Sequence, residues 1–176
     1  LEELLKSWLP SGSYALQYQF RDGRKADAVI FLGTHKVVVD AKFPLESFKR
    51  ALEEGTIGNG TVPADLRQAL NKHAEDIGSR YIQPEEGTLQ FALMYIPSER
   101  IYYHAFVEPG GDLSEMAVRK GVLPVGPSGL FIYLQTIAYG LRGVLYPERQ
   151  REIISLLHGV NRELDRHLKT LKNGEA

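Results

Sequence analysis

Two apolar, β-branched runs separated by Gly33-Thr34 constrain this chain more than any other stretch. Ala26 to Leu32 and His35 to Ala41 read as strands, and a two-residue loop with Gly in its first position suits a type II′ hairpin turn. If Gly33-Thr34 is the whole loop, Leu32 faces His35, and counting back along both strands sets Asp27 opposite Asp40. Directly opposed residues share a face, with Cβ atoms roughly 4.5–5.5 Å apart. Val38, Asp40 and Lys42 then lie on one face and Val37, Val39 and Ala41 on the other. The second set suits a core. The first brings two carboxylates and an ammonium into one patch, and two acids that close repel unless a cation sits between them.

The rest of the chain can be laid out around that hairpin. Leu1, Leu4, Leu5, Trp8 and Leu9 recur at helical spacing until Pro10-Ser11-Gly12 stops them. Tyr14 to Phe20 alternates as a half-buried strand, and Arg21 to Arg24 turns it. Pro44 to Glu54 reads as a helix with Phe48, Ala51 and Leu52 inward, and Gly55 to Val62 as a mobile, glycine-rich loop near the acids. Pro63 opens a long helix to about Tyr81, whose apolar side holds Leu66, Ala69, Leu70, His73, Ile77 and Tyr81. Thr88 to Ile96 is apolar enough for a central strand, ended by Pro97. Helices are expected over Ser98–Val107 and Leu113–Lys120, a short edge strand over Val122–Val125, an apolar helix from Pro127 to about Leu141 and a last amphipathic one from Pro147. This is one domain over residues 1–176, with a core over 1–97 and a helical elaboration over 98–176.

Composition narrows the function classes. Hydrophobic residues make up 43% and charged ones 24%, which fits a globular domain with a real core. Lys+Arg number 21 against 22 Asp+Glu, a formal charge of -1, so contact with nucleic acid has to come from a local basic patch. The absence of cysteine excludes disulfides, thiolate zinc sites and a cysteine nucleophile, and fits a reducing, cytoplasmic location. No apolar run approaches the roughly 18 residues of a membrane span. The chain begins at Leu1 inside a helical pattern and without Met, as a fragment of a longer protein would.

The element order, helix, strand, strand with Asp27, strand with Asp40-Ala41-Lys42, helix, further strand, resembles the PD-(D/E)xK nuclease core. That likeness implies an α/β fold of the restriction-endonuclease type, a central mixed sheet flanked by helices, here with extra C-terminal helices. The residue types suit the chemistry. Phosphodiester hydrolysis must neutralise charge on the phosphate and make a nucleophile from water, and oxygen ligands holding Mg²⁺ or Mn²⁺ serve both needs. Asp27 and Asp40 would supply carboxylate oxygens, and Ala41 a backbone carbonyl. Lys42 cannot ligate while protonated, so its role would be to orient water or stabilise charge beside the metal. Glu2 is an auxiliary acid, because a first-helix carboxylate can reach the same patch in this fold. The plain alternative for Asp40-Ala41-Lys42 is a cross-strand salt bridge, but a structural pair needs no second acid at Asp27.

Longer stretches carry a second, more specific likeness. Val38-Val39-Asp40-Ala41-Lys42-Phe43-Pro44-Leu45, Phe91 to Glu99, Gly126-Pro127-Ser128, Leu134-Gln135-Thr136-Ile137 and Gly140-Leu141-Arg142 resemble the core of the RmuC family of DNA recombination proteins. Glu2 with Leu5, Trp8 and Leu9 is similar to that family's Gly-Glu-x-x-Leu helix with Leu1 in place of Gly, and Ala26 replaces the Pro of its Pro-Asp pair. The resemblance implies a nuclease acting on DNA. It also implies a full-length protein with an N-terminal membrane segment and coiled coil, neither of which lies in this chain.

Other candidates have plainer readings. His73 reads as a satisfied core histidine and His35 as a solvated turn residue. Glu99 is expected to cap the helix that follows it. Lys72 and Arg80, with Asp76 between them, could track a DNA backbone or form a salt-bridged surface. Tyr102 and Tyr103 could stack on bases, although packing is the commoner use. Gly126 to Gly129 resembles an anion-binding turn, but Pro at the first helical position with Ser nearby is ordinary capping. Two rivals to the nuclease stand: a non-catalytic DNA-binding or scaffolding module on the same fold, and a protein-interaction domain that forms a homo-oligomer.

Overall fold

The computed structural model describes residues 1–58, 60–108 and 112–143, with the isolated positions 155 and 159. The amphipathic helix expected from Pro147 lies outside the described residues. Five strands form one sheet in sequence order: β1 (Tyr14–Gln19), β2 (Lys25–Leu32), β3 (His35–Asp40), β4 (Thr88–Tyr95) and β5 (Val122–Val125). The first three pair antiparallel, whereas β3 with β4 and β4 with β5 run parallel. The carboxyl ends of the parallel strands therefore gather at one edge of the sheet, where ligand crevices form in open α/β sheets.

The hairpin has the register that the short turn requires. Leu32 pairs with His35 and the ladder continues to Ala28 against Val39, one step before Asp27 and Asp40. Gly33 sits at φ 64°, as the first position of a type II′ turn demands. Alternation then feeds two cores. Val37 and Val39 join Ile30, Leu93, Leu130 and Leu134 on the face covered by α1 (Glu2–Trp8) and α6 (Pro127–Gly143). Val38 and Val29 join Phe48, Leu70, Ile77 and Met94 on the face covered by α2 (Leu45–Glu53) and α3 (Ala64–Tyr81). Parallel strands buried on both faces read as continuous apolar runs, which is why Val37-Val38-Val39 carries no polar break. Among the described residues no helix is long and apolar enough to cross a membrane.

Three local features depart from the sequence expectations. The helix expected over Ser98–Val107 is a short α4 (Glu99–Tyr102) followed by a wider helical turn, Tyr103–Val107. There the Glu108 amide donates to the Tyr103 carbonyl at 2.8 Å, five residues back, and the extra residue lets Ile101, Ala105 and Phe106 all stay buried. Glu99 does not cap its own helix. Ser98 does so, its Oγ accepting from the Ile101 amide at 3.3 Å, while Glu99 Oε1 accepts from the Ser128 amide at the start of α6. A carboxylate of the protein thus occupies the α6 N-terminus, where backbone N–H groups and the helix dipole favour an anion. Glu99→Ala should lower stability by about 0.5–2 kcal/mol, the usual loss for an N-terminal cap, read as a lower urea midpoint at unchanged slope. Third, the start of the loop after α2 is anchored: Ile57 is buried and its amide donates to the Ala51 carbonyl of α2.

Candidate active site

Asp27 leaves β2 and Asp40 ends β3, and both carboxylates close on one ammonium. Lys42 Nζ lies 2.8 Å from Asp27 Oδ1 and 3.7 Å from Asp40 Oδ1. The remaining carboxylate oxygens are held by backbone: the Ala41 amide donates to Asp27 Oδ2 at 2.8 Å and the Lys42 amide to Asp40 Oδ2 at 3.2 Å. Each acid therefore has one oxygen fixed by the chain and the other turned toward a shared cation. Asp40 is 2% exposed and Asp27 13%, whereas Lys42 is 58% exposed at the rim.

The charges at this site shift one another. Burial pushes the Asp40 carboxyl upward, but the adjacent His73, and then the Lys42 ammonium and amide, outweigh it and hold the group below the usual carboxylate range. Burial draws the Lys42 ammonium down, and the Asp27 hydrogen bond with the charges of Asp27 and Asp40 reverses this, leaving it above its usual value. Both shifts favour the charged forms of Asp40 and Lys42.

His73 belongs to this site and not to a satisfied core. Its Nε2 lies 3.2 Å from Asp40 Oδ2 without completing a hydrogen bond, and among the described residues this buried nitrogen has no hydrogen-bond partner. The signal was present in the sequence as a titratable residue inside the inward stripe of α3, beside Leu70, Ala74 and Ile77. What could not be read is where that stripe crosses the sheet.

Gln17 also escaped the sequence reading. It lies between the Leu16–Ala28 and Tyr18–Ala26 pairs, hence opposite Asp27, and its φ of 48° is left-handed. That conformation swaps the alternation of β1: Tyr14 and Leu16 pack toward the α1/α6 core, whereas Tyr18 and Phe20 pack toward the other. Such backbone costs a non-glycine residue about 1–3 kcal/mol and clusters at functional sites.

An open cleft of about 660 Å³ adjoins Lys42 and is lined also by Arg24, Lys25, Ser79, Arg80 and Tyr81. Arg24 fixes its wall, bonding Asp22 at 3.1 Å and the Ser79 and Arg80 carbonyls at 3.2 and 3.3 Å. Arg80 thus lines the same cleft as Lys42, with Asp76 3.8 Å away. Lys72 is exposed on α3 and does not line the cleft.

Glu2 is not brought to the group. It pairs with Lys6 at 2.7 Å on α1, whose Leu5 is buried in the core on the opposite face of the sheet from Val38 and Phe48. Among the described residues no set of three His, Cys, Asp or Glu side chains forms a metal cage. The donor chemistry present is a pair of hard oxygens that already share one cation, which fits an ion such as Mg²⁺ that keeps several waters and takes one or two carboxylates.

Comparison with known proteins places the chain. Two curated relatives, each described as "DNA recombination protein RmuC homolog", from Xylella fastidiosa strains Temecula1 / ATCC 700964 and 9a5c, are each 28% identical over 142 residues. These matches cover 78% of this chain and 30% of each relative, so the chain spans about a third of their length. No solved structure gives a significant match. The RmuC family profile matches residues 1–175, and the chain therefore belongs to the RmuC family.

Proposed function

We propose that the chain is a metal-dependent DNA nuclease core that hydrolyses phosphodiester bonds on a PD-(D/E)xK framework. The observation that carries this reading is the convergence of Asp27 and Asp40, from neighbouring strands, on the Lys42 ammonium at the mouth of a basic cleft. Asp27 Oδ1 and Asp40 Oδ1, with the Ala41 carbonyl, would hold Mg²⁺ or Mn²⁺. Bound there, such an ion offers Lewis acidity to a phosphoryl oxygen and lowers the pKa of its water. The protein's own groups do the rest. The Ala41 and Lys42 amides fix the carboxylates, Lys42 moves off them to orient water or meet charge on the phosphate, and Lys25 and Arg80 hold the flanking backbone. The word "recombination" in the names of the relatives supports DNA as the polymer.

The basic cleft can be tested apart from cleavage. Lys25→Gln and Arg80→Gln should each weaken DNA binding across all sequences and lower the slope of log K against log salt by about 1, measured by fluorescence anisotropy without divalent ions. Lys72→Gln, away from the cleft, should leave both unchanged.

One observation favours the non-catalytic DNA-binding module instead: Glu2 is held by Lys6, so the third acid of the expected set is not delivered. Incubating the chain with plasmid and with single-stranded oligonucleotide in Mg²⁺, Mn²⁺ or EDTA separates the two. Cleavage in either metal and none in EDTA supports the nuclease. Salt-dependent binding without cleavage in any condition supports the module.

A further inference from the structure

We propose that His73 is a positioning residue that aims Asp40 at the shared cation site, an inference that rests on the metal-site reading of Asp27 and Asp40. His73 stands on α3 among Leu66, Leu70, Ala74, Ile77 and Tyr81, all buried, and its own side chain is 19% exposed. A histidine in that row adds nothing to the core that leucine would not, and it introduces a polar nitrogen. Nε2 is buried, has no hydrogen-bond partner among the described residues and lies 3.2 Å from Asp40 Oδ2. An unprotonated Nε2 facing a carboxylate oxygen would set lone pair against lone pair, so Nε2 carries the hydrogen. A polar N–H left without an in-line acceptor destabilises a protein and calls for a reason.

The reason lies in what Asp40 has to do. Its carboxylate is buried and its two oxygens face different ways, Oδ1 toward Lys42 Nζ at 3.7 Å and Oδ2 toward His73 and the Lys42 amide. The terminal torsion of an aspartate is broad, so the backbone amide alone leaves the carboxylate free to rock. The imidazole closes the other side of Oδ2 and sets the direction of Oδ1. Asp27 and Asp40 would hold a divalent ion through the oxygens that now face Lys42, and His73 beside Oδ2 would keep the Asp40 carboxylate from turning away. Carboxylates that bind metals are held by outer partners in this way, and their loss lowers metal affinity about 10–100-fold.

The test is Mn²⁺ binding by the full chain, followed by electron paramagnetic resonance of the free ion, in wild type, His73→Leu and His73→Gln. His73→Leu should bind Mn²⁺ at least about 10-fold more weakly while keeping the circular dichroism of the wild type, because leucine preserves the packing of the α3 row and removes only the group that faces Asp40 Oδ2. His73→Gln, whose amide can donate to Oδ2, should recover most of the affinity. Wild-type affinity in His73→Leu overturns the inference alone, as does His73→Gln binding no better than His73→Leu. A folded wild type that binds no Mn²⁺ overturns the metal-site reading and this inference with it.

Discussion

Asp40→Asn and Lys42→Ala should each reduce metal-dependent DNA cleavage by about 10²–10³-fold or more, the scale on which one charge-stabilising group acts, while circular dichroism stays that of the wild type. The two variants should part company in binding. Asp40 is buried and turns one oxygen toward the cation, so Asp40→Asn removes half the charge of the site and Mn²⁺ affinity falls. Lys42 lies 2.8 Å from Asp27 and 3.7 Å from Asp40, where the proposed nuclease would hold its divalent ion. Removing it leaves two carboxylates without a counterion, so Lys42→Ala should bind Mn²⁺ more tightly than wild type even as cleavage disappears. A salt bridge with no further role predicts neither result. Cleavage at wild-type rates in both variants would sink the nuclease reading.

Gly78→Ala should destabilise the protein by about 1–3 kcal/mol, the range for overpacking a filled site, although helix propensity alone favours alanine by up to ~1 kcal/mol. The propensity argument fails because α3 crosses the turn after α5 (Asp112–Val118) at this residue. A Cβ on Gly78 would stand 2.5 Å from the Lys120 carbonyl oxygen, and backbone cannot swing aside as a long side chain can. Relief would require α3 to shift, and α3 carries His73 toward Asp40 and ends in the cleft residues Arg80 and Tyr81. Urea unfolding reads the stability, and Mn²⁺ affinity should fall in the same variant. Stability at or above wild type would show that the crossing has slack.

What could be read from the chain and what could not divides by distance along it. The register of Asp27 and Asp40 follows from a turn of two residues and an alternation of period two, both local. Glu99 reaches an amide 29 residues away, and nothing near either position announces the pairing. His73 was visible as a histidine in an apolar stripe, but its meaning depends on α3 passing the end of β3. Glu2 failed to join the acids for the converse reason: helical spacing identified α1, yet the sheet face it covers is fixed by where Leu5 and Leu9 pack. The left-handed backbone of Gln17 had no signal at all, since neither Gly nor Asn marks the position.

The Gly33-Thr34 hairpin has a consequence for how the site comes into being during folding. Hairpins close in about 1–10 μs, long before distant segments meet. Closing this one presses two like charges together while the rest of the sheet is absent, which should slow it. Lys42 lies two residues beyond Asp40 on the same segment, so its ammonium arrives with the acids and requires no further loop closure. The supersecondary unit from Asp27 to Lys42 therefore carries its own counterion, and its nucleation is open to the chain before α3 or β4 has reached it.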